Sequence, residues 1–407
     1  MELHNGSLFW PTTLDGEKTI RGRKEIDPHY DAVIVGGGMS GALTAYTLAK
    51  EGLHIAIIDK REMAGGSSSA NTGLLQFSND IMLYELIEQI GEEKAVRFYK
   101  LCQEAVDQLK KVADSLPRQV DMIKRKSICY ASTKDDVEKL QKEFAALTRH
   151  GFPAEYWDEV EMKKHLPFSK AAALVTHGDA EVNPYRFIQG ILEHIQQKGV
   201  HLFENVEAME AEEQSDKVML NTSIGTFSAT DIIYATGYDT NPINDKIGSD
   251  INRSYAIATE PIDDLSSWED NAMIWETKRP YFYMRTTVDN RIIAGGLDED
   301  KPEAPQSKEW IDNRAQRIKK ELENLFPDLP IKIDCAWGAS FGESLDNLPF
   351  IGKHPHRDRL YYLLGYGGNG TVYSMLGSHI LRDLLLNRPN SDAELVKLER
   401  ESEKELV

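Results

Sequence analysis

Apolar positions near the start of the chain fall into short unbroken runs. Ala32-Val-Ile-Val35, opened by Asp31, and Ile55-Ala-Ile-Ile58, closed by Asp59, read as strands buried on both faces. Between them residues 39–51 (MSGALTAYTLAKE) have helical character, and Gly52 supplies a stop. Strand, helix and strand within about 30 residues predict a parallel βαβ unit.

From residue 80 the spacing turns amphipathic and predicts helices over 80–89, 92–115 and 134–149, interrupted by a short strand at 127–131. Pro184 opens another helix over 184–199, since its fixed φ and missing N–H suit a first turn. Short strands follow at 204–211, 216–221 and 224–235. Residues 251–300 are strand-like, with 281–287 and 291–296 flanking a turn at Asp289-Asn290. A charged helix at 306–325, strands at 331–340 and 361–364, and a helix over 371–386 close the pattern. The alternation predicts an α/β fold of two interleaved domains. A Rossmann-like dinucleotide domain takes 30–90, 175–250 and 340–390, and an α+β substrate domain takes 91–174 and 251–339. A polar lead-in (1–29) and a polar tail (391–407) flank them. Within the lead-in, Leu8-Phe9-Trp10-Pro11 is an apolar patch expected to pack on the body, because adjacent aromatics are rarely left in water.

The composition is that of a globular protein, 41% hydrophobic and 28% charged over 407 residues, a length that fits two or three domain units. No stretch approaches the ~20 apolar residues of a membrane span. The N-terminus has neither the basic nor the apolar region of a secretory signal. Cys102, Cys129 and Cys335 lie far apart, which indicates neither a disulfide framework nor a zinc site and points to a reducing, cytoplasmic setting. With 66 acidic and 47 basic residues the net charge is −19, which disfavours nucleic acid and anionic lipid as partners. His354-Pro355-His356 has no third ligand nearby, so no metal site is expected there.

The candidate chemistry begins at Gly36-Gly37-Gly38-Met39-Ser40-Gly41. This G-x-G-x-x-G follows a predicted strand and opens a predicted helix, the context in which such a turn binds a dinucleotide. Gly36 permits the tight turn, Gly38 lets backbone approach the pyrophosphate, and Gly41 lets helix and strand pack closely. Met39 and Ser40 present N–H groups at the positive end of the helix. Asp59 closes the second strand, where an acid binds a ribose hydroxyl, with Lys60 beside it. This unit alone serves NAD(P) as well as FAD.

Three later segments, Gly65-Gly66-Ser67-Ser68-Ser69-Ala70-Asn71-Thr72-Gly73-Leu74, Thr236-Gly237 and Gly367-Gly368-Asn369-Gly370-Thr371, resemble the D-amino-acid oxidase/glycine oxidase superfamily of FAD-dependent oxidoreductases. The first of them is similar to the loop that wraps flavin phosphates and ring edge there. Val182-Asn-Pro184, Gly199-Val200 and Asn205-Val206 resemble its approach to the adenine-holding strand, and Ile232-Ile-Tyr-Ala-Thr236-Gly237 its strand-to-loop signature. Leu348-Pro349-Phe350-Ile351-Gly352 and Gly365-Tyr-Gly367-Gly368-Asn369-Gly370-Thr371 resemble its closing half. The resemblance, from about residue 30 to 388, implies a glutathione-reductase-like FAD fold with non-covalent FAD. It also implies oxidation of a C–N bond of an amine or amino acid: hydride passes from the α-carbon to flavin N5, and the imine is then hydrolysed. A turn such as Gly367–Thr371 feeding a helix can stabilise negative charge at the flavin N1/C2=O edge. An NAD(P)-dependent dehydrogenase or a silent flavin-binding module are the alternatives.

Alternation along the predicted hairpin puts Tyr281, Tyr283 and Arg285 on one face, a composition suited to an active-site wall. The resemblance implies that Tyr283 binds the substrate carboxylate, as in the glycine-oxidase branch, and that Tyr281 lies toward the flavin. Phe341 stands where amino-acid oxidases of this group place a carboxylate-clamping arginine, and a phenyl ring cannot replace a bidentate guanidinium. Trp337-Gly-Ala-Ser-Phe341 and Tyr281-Phe-Tyr-Met-Arg285 look more like the γ-glutamylputrescine oxidoreductase branch. An amine or N-substituted amino acid is therefore expected over a simple D-amino acid, unless Arg285 takes over the clamp. Asp298 is a candidate partner for a substrate ammonium. Ala339 and Ala70 lie near the positions where the resemblance places the cysteine or histidine that attaches flavin covalently in relatives, and the 291–296 strand lacks the lysine that sarcosine oxidases use for oxygen. The acceptor, O2 or a quinone or carrier, stays open.

Overall fold

The computed structural model describes residues 2–14, 20–238, 249–365 and 367–400. Parts of the expected lead-in (1, 15–19), of the 175–250 segment (239–248) and of the tail (401–407), with Tyr366 of the last glycine run, lie outside the described residues.

The buried runs form the centre of an eight-stranded sheet in which six strands follow the order Phe350–Lys353, Leu360–Leu364, Gly225–Tyr234, Tyr30–Val35, Ile55–Asp59 and His201–Glu204, while Val218–Thr222 pairs beside Gly225–Tyr234 and Ala208–Glu213 beside Val218–Thr222. The last five of those six pair in parallel, Ile34 lying opposite both Ile233 and Ile57. The reason for the unbroken apolar run is visible in the packing. Ala32 and Ile34 enter one core, under helices Met39–Ala49, Pro184–Gln196 and Gly370–Leu385, while Val33 and Val35 enter another on the opposite face. Helix Met39–Ala49 starts flush against its strand because Gly41 has no side chain. A Cβ there would stand 1.8 Å from the Gly36 carbonyl oxygen.

A ten-stranded, mainly antiparallel sheet forms the second layer. Its order is His4–Gly6, Ile333–Ser344, Ser249–Thr259, Ile292–Glu299, Tyr283–Thr286, Met273–Glu276, Ile123–Tyr130, Ala172–Glu181 and Leu74–Leu75, and Ala154–Asp158 pairs beside Ala172–Glu181. One face is covered by helix Lys308–Leu325 through Ala315, Ile318 and Leu322. Among the described residues no helix is long and apolar enough to cross a membrane.

Strands Ala154–Asp158 and Ala172–Glu181 and helix Glu159–His165 were not predicted. The domain boundary expected between 174 and 175 runs through Ala172–Glu181, which belongs wholly to the large sheet. The helix expected from residue 80 begins at Leu83, because the Glu143 carboxylate accepts the N–H groups of Leu83 and Tyr84 at 2.9 and 3.1 Å and so fixes the start. Asp80 is thereby left outside the helix.

Candidate active site

Two adjoining cavities lie between the sheets, and placed end to end they suit a dinucleotide with a substrate at one end. Ser67, Asn71, Tyr238 and Gly370 line both and mark where one passes into the other.

The first cavity is built on the βαβ unit and is lined by Gly36, Gly38, Met39, Ser40, Asp59, Lys60, Ser68, Val206, Thr236, Gly237 and Thr371. Asp59 Oδ2 accepts Gly37 N at 2.7 Å and Oδ1 accepts Arg61 N at 2.8 Å, which holds the carboxylate at the end of its strand. Burial raises its pKa against these two hydrogen bonds. The Ser67, Thr236 and Thr371 hydroxyls are buried without a hydrogen-bond partner among the described residues. Buried polar groups are normally satisfied, so three orphaned hydroxyls around a glycine-rich helix start fit a polar, phosphate-bearing cofactor. Gly41 and Gly73 line neither cavity. Gly41 serves the strand–helix contact, and Gly73 lies over the Arg285 guanidinium.

The second cavity is bounded by Thr72 and Leu74 of the small-residue loop, by Gly367, Gly368 and Asn369, and by Trp275, Tyr281 and Tyr283. Asn369, capping helix Gly370–Leu385, donates through Nδ2 to Ser78 O at 2.6 Å and to Asn79 Oδ1 at 3.2 Å. Tyr373 Oη donates to the same Asn79 oxygen at 2.8 Å. Tyr281 and Tyr283 stand side by side with ring centroids 5.8 Å apart, and Trp275 meets Tyr281 edge-on at 6.0 Å. Tyr283 lies across its partner strand because residue 295 is glycine. A Cβ there would come 2.3 Å from the phenol oxygen. Burial pushes both phenols above their ordinary pKa.

Arg285 does not join this wall. It is 2% exposed and donates through Nε to Thr72 O and through Nη2 to Val182 O, both at 2.8 Å. Its Nη1 lies 3.6 Å from Glu181, and the Trp10 ring stacks 5.0 Å away. Alternation gives the side of the strand on which Arg285 emerges, but the 72–73 loop covers that side, so the guanidinium is spent on backbone carbonyls.

Three contributors carried little or no sequence signal. Asp80 accepts Gly368 N at 2.6 Å and the Tyr281 hydroxyl at 3.2 Å, and pairs with Arg279 at 3.6 Å, thereby linking three distant segments. Asn79-Asp80 is a polar pair inside an amphipathic stretch, the one trace it left. Trp275 sits on a strand hidden within 251–300. Asp298, weakly marked, lines the cavity with the Ser254 hydroxyl as its partner, and burial raises its pKa to about 6. Ala70 and Ala339, near the positions of covalent attachment in relatives, both line the cavity and carry no nucleophile.

Outside the site, Asp27, His54 and His201 approach one another closely enough to hold a metal. The Arg23 guanidinium donates to both Asp27 and His201, filling the place with a cation of the chain's own.

Residues 31–384 match the DAO family model, described as FAD dependent oxidoreductase. A probable oxidoreductase of Haemophilus influenzae is 24% identical over 373 residues, covering 88% of this chain and 83% of its own. The γ-glutamylputrescine oxidoreductase of Escherichia coli is 23% identical over 372 residues, covering 87% and 83%. Among solved structures, glycine oxidase from Geobacillus kaustophilus superposes with a TM-score of 0.80 at 20% identity, covering 92% of this chain and 99% of its own, which shows a common fold.

Proposed function

The chain belongs to the DAO family of FAD-dependent oxidoreductases, and from that premise we propose that it oxidises the C–N bond of a cationic amine lacking a free α-carboxylate. One observation carries this reading. Among the described residues lining the substrate cavity, the charged side chains are Asp80 and Asp298, with no arginine or lysine, and Phe341 lines the wall where a carboxylate clamp would be needed. With Asp80 already paired to Arg279, a carboxylate substrate would meet the like charge of Asp298 and no cation in the lining, whereas an ammonium finds that anion and aromatic faces that favour cations.

FAD, non-covalently bound, supplies the two-electron acceptor. The Gly36–Gly41 turn would hold its pyrophosphate, Asp59 its ribose, and the Ser67, Thr236 and Thr371 hydroxyls its remaining polar groups. The turn at 367–370 and the helix behind it would face the ring, with the helix dipole favouring negative charge there. Asp298 receives the substrate ammonium and accepts its proton, since amine oxidation needs the neutral amine. Tyr281 and Tyr283 orient the substrate and exclude water. Asp80 is a positioning residue, holding Tyr281 to the glycine turn. The buried free cysteines suit a cytoplasmic location.

The test is an anaerobic titration of the yellow protein with polyamines, N-methylamino acids and D-amino acids, followed at the flavin's visible band. Bleaching by a polyamine-type amine supports the reading, and bleaching by α-amino acids alone overturns it. Readmitting air then separates O2 from a quinone or carrier as acceptor.

A further inference from the structure

Residues 2–13 precede the family match, which begins at residue 31, yet they are built into the cofactor site. Strand His4–Gly6 adds an edge to Ile333–Ser344, with Gly6 opposite Trp337 and His4 opposite Ala339, and Leu3 O accepts Ser340 N at 2.8 Å. Leu3, 6% exposed, turns inward and lines the cavity formed by the dinucleotide turn and Asp59. Its Cδ1 would meet a Cβ placed on Gly66 at 3.6 Å, so it lies directly against the small-residue loop. His4 Nε2 sits 3.2 Å from the Gly65 carbonyl oxygen and 3.3 Å from Ser69 Oγ, pinning the same loop. Phe9 and Trp10 are 4% and 2% exposed and pack beside Ala70 and Trp337. At the far end, Arg186 Nε donates to Thr13 O at 2.6 Å and Asn183 Nδ2 to Thr13 Oγ1 at 2.7 Å.

We propose that residues 2–13 form a strap that closes the FAD site over the 65–70 loop, with Leu3 as a cofactor-covering residue and His4 as the residue that positions the loop. The strap is attached along its length, by a strand edge, an imidazole, two buried aromatics and, at Thr13, the side chains of Asn183 and Arg186. The loop it covers carries Ser67 and Ser68, both of which line the dinucleotide cavity. A cofactor enclosed beneath that loop leaves only after the loop lifts, and the loop lifts only after Leu3 and His4 let go. The strap therefore governs how fast FAD is released more than how the substrate is held.

The experiment measures FAD release from the holoprotein after dilution, read as recovery of free-flavin fluorescence, in Leu3→Ala and in His4→Ala. The melting of each apoprotein is recorded in parallel. The expected result is release at least fivefold faster in both variants, with apoprotein melting lowered by no more than about 6 °C in Leu3→Ala, the cost of truncating a buried leucine, and by less in His4→Ala. Removing residues 1–7 should accelerate release further, and where that shortened chain does not fold the two point variants decide. Release within a factor of two of the parent overturns the proposal. So does acceleration that merely tracks the loss of apoprotein stability, which would make the segment general packing rather than a closure.

Discussion

Replacing Arg285 with methionine separates two roles that its position on the hairpin would otherwise leave confused. In the structure the guanidinium makes two short hydrogen bonds, to Thr72 O and Val182 O, each 2.8 Å long, the first partly and the second fully buried. Methionine keeps much of the volume and removes both donors. Each buried carbonyl left without a partner costs about 1–3 kcal/mol, so the pair costs about 2–6 kcal/mol. Glu181 adds little to this, because Arg125 remains 3.1 Å from its carboxylate and still neutralises it. An unfolding entropy of roughly 2.1 cal/mol/K per residue gives about 0.85 kcal/mol/K for the 407-residue chain. The melting temperature should therefore fall by about 2–7 °C, measured calorimetrically on the apoprotein. FAD should also bind less tightly, since Thr72 belongs to the loop that faces it, while preference among amines stays unchanged. The reasoning is refuted if melting is unmoved and KM rises tenfold or more for carboxylated substrates alone, which is the signature of a substrate clamp.

Three further outcomes follow from the site. Gly295→Ala places a Cβ 2.3 Å from the Tyr283 phenol oxygen and 2.9 Å from Tyr255 O, so the ring must move, and single-turnover flavin reduction should slow at least tenfold with FAD content intact; a rate within twofold would show that Tyr283 does not orient substrate. With its pKa raised to about 6, Asp298 is neutral below that pH and anionic above it, so kcat/KM for a cationic amine should drop about tenfold per unit as pH falls below 6. Asp298→Asn should abolish that limb, and an unchanged profile would remove Asp298 from ammonium binding. Asp59→Ala should weaken FAD binding by about 1.5–3 kcal/mol, roughly 10- to 150-fold in Kd by apoprotein titration, and retention of parent affinity would exclude a ribose contact.

What could be read in advance, and what could not, divides along the range of the interactions involved. Strand Tyr30–Val35 and its glycine turn were legible because every constraint on them is local: both faces are apolar, and the turn needs residues without side chains. Strand Ala172–Glu181 was not, because it carries Thr176, Asp179 and Glu181 into the interior. Those groups are tolerated there only through partners elsewhere in the chain: Asp179 accepts Phe77 N at 2.9 Å, and Arg125 pairs with Glu181. A polar residue reads as solvent-facing until its distant partner is known. Asp80 fails to announce itself for the same reason, since its partners Tyr281 and Gly368 lie 201 and 288 positions away. Arg285 shows the converse error. Strand periodicity states on which side a residue emerges, not what the chain has laid across that side, and here it is a loop more than 200 residues earlier. Assigning a charged side chain to catalysis therefore requires knowing whether its hydrogen-bonding capacity is already used. By that criterion Asp298, half-buried in the cavity wall with a single hydroxyl partner, is a stronger candidate than Arg285.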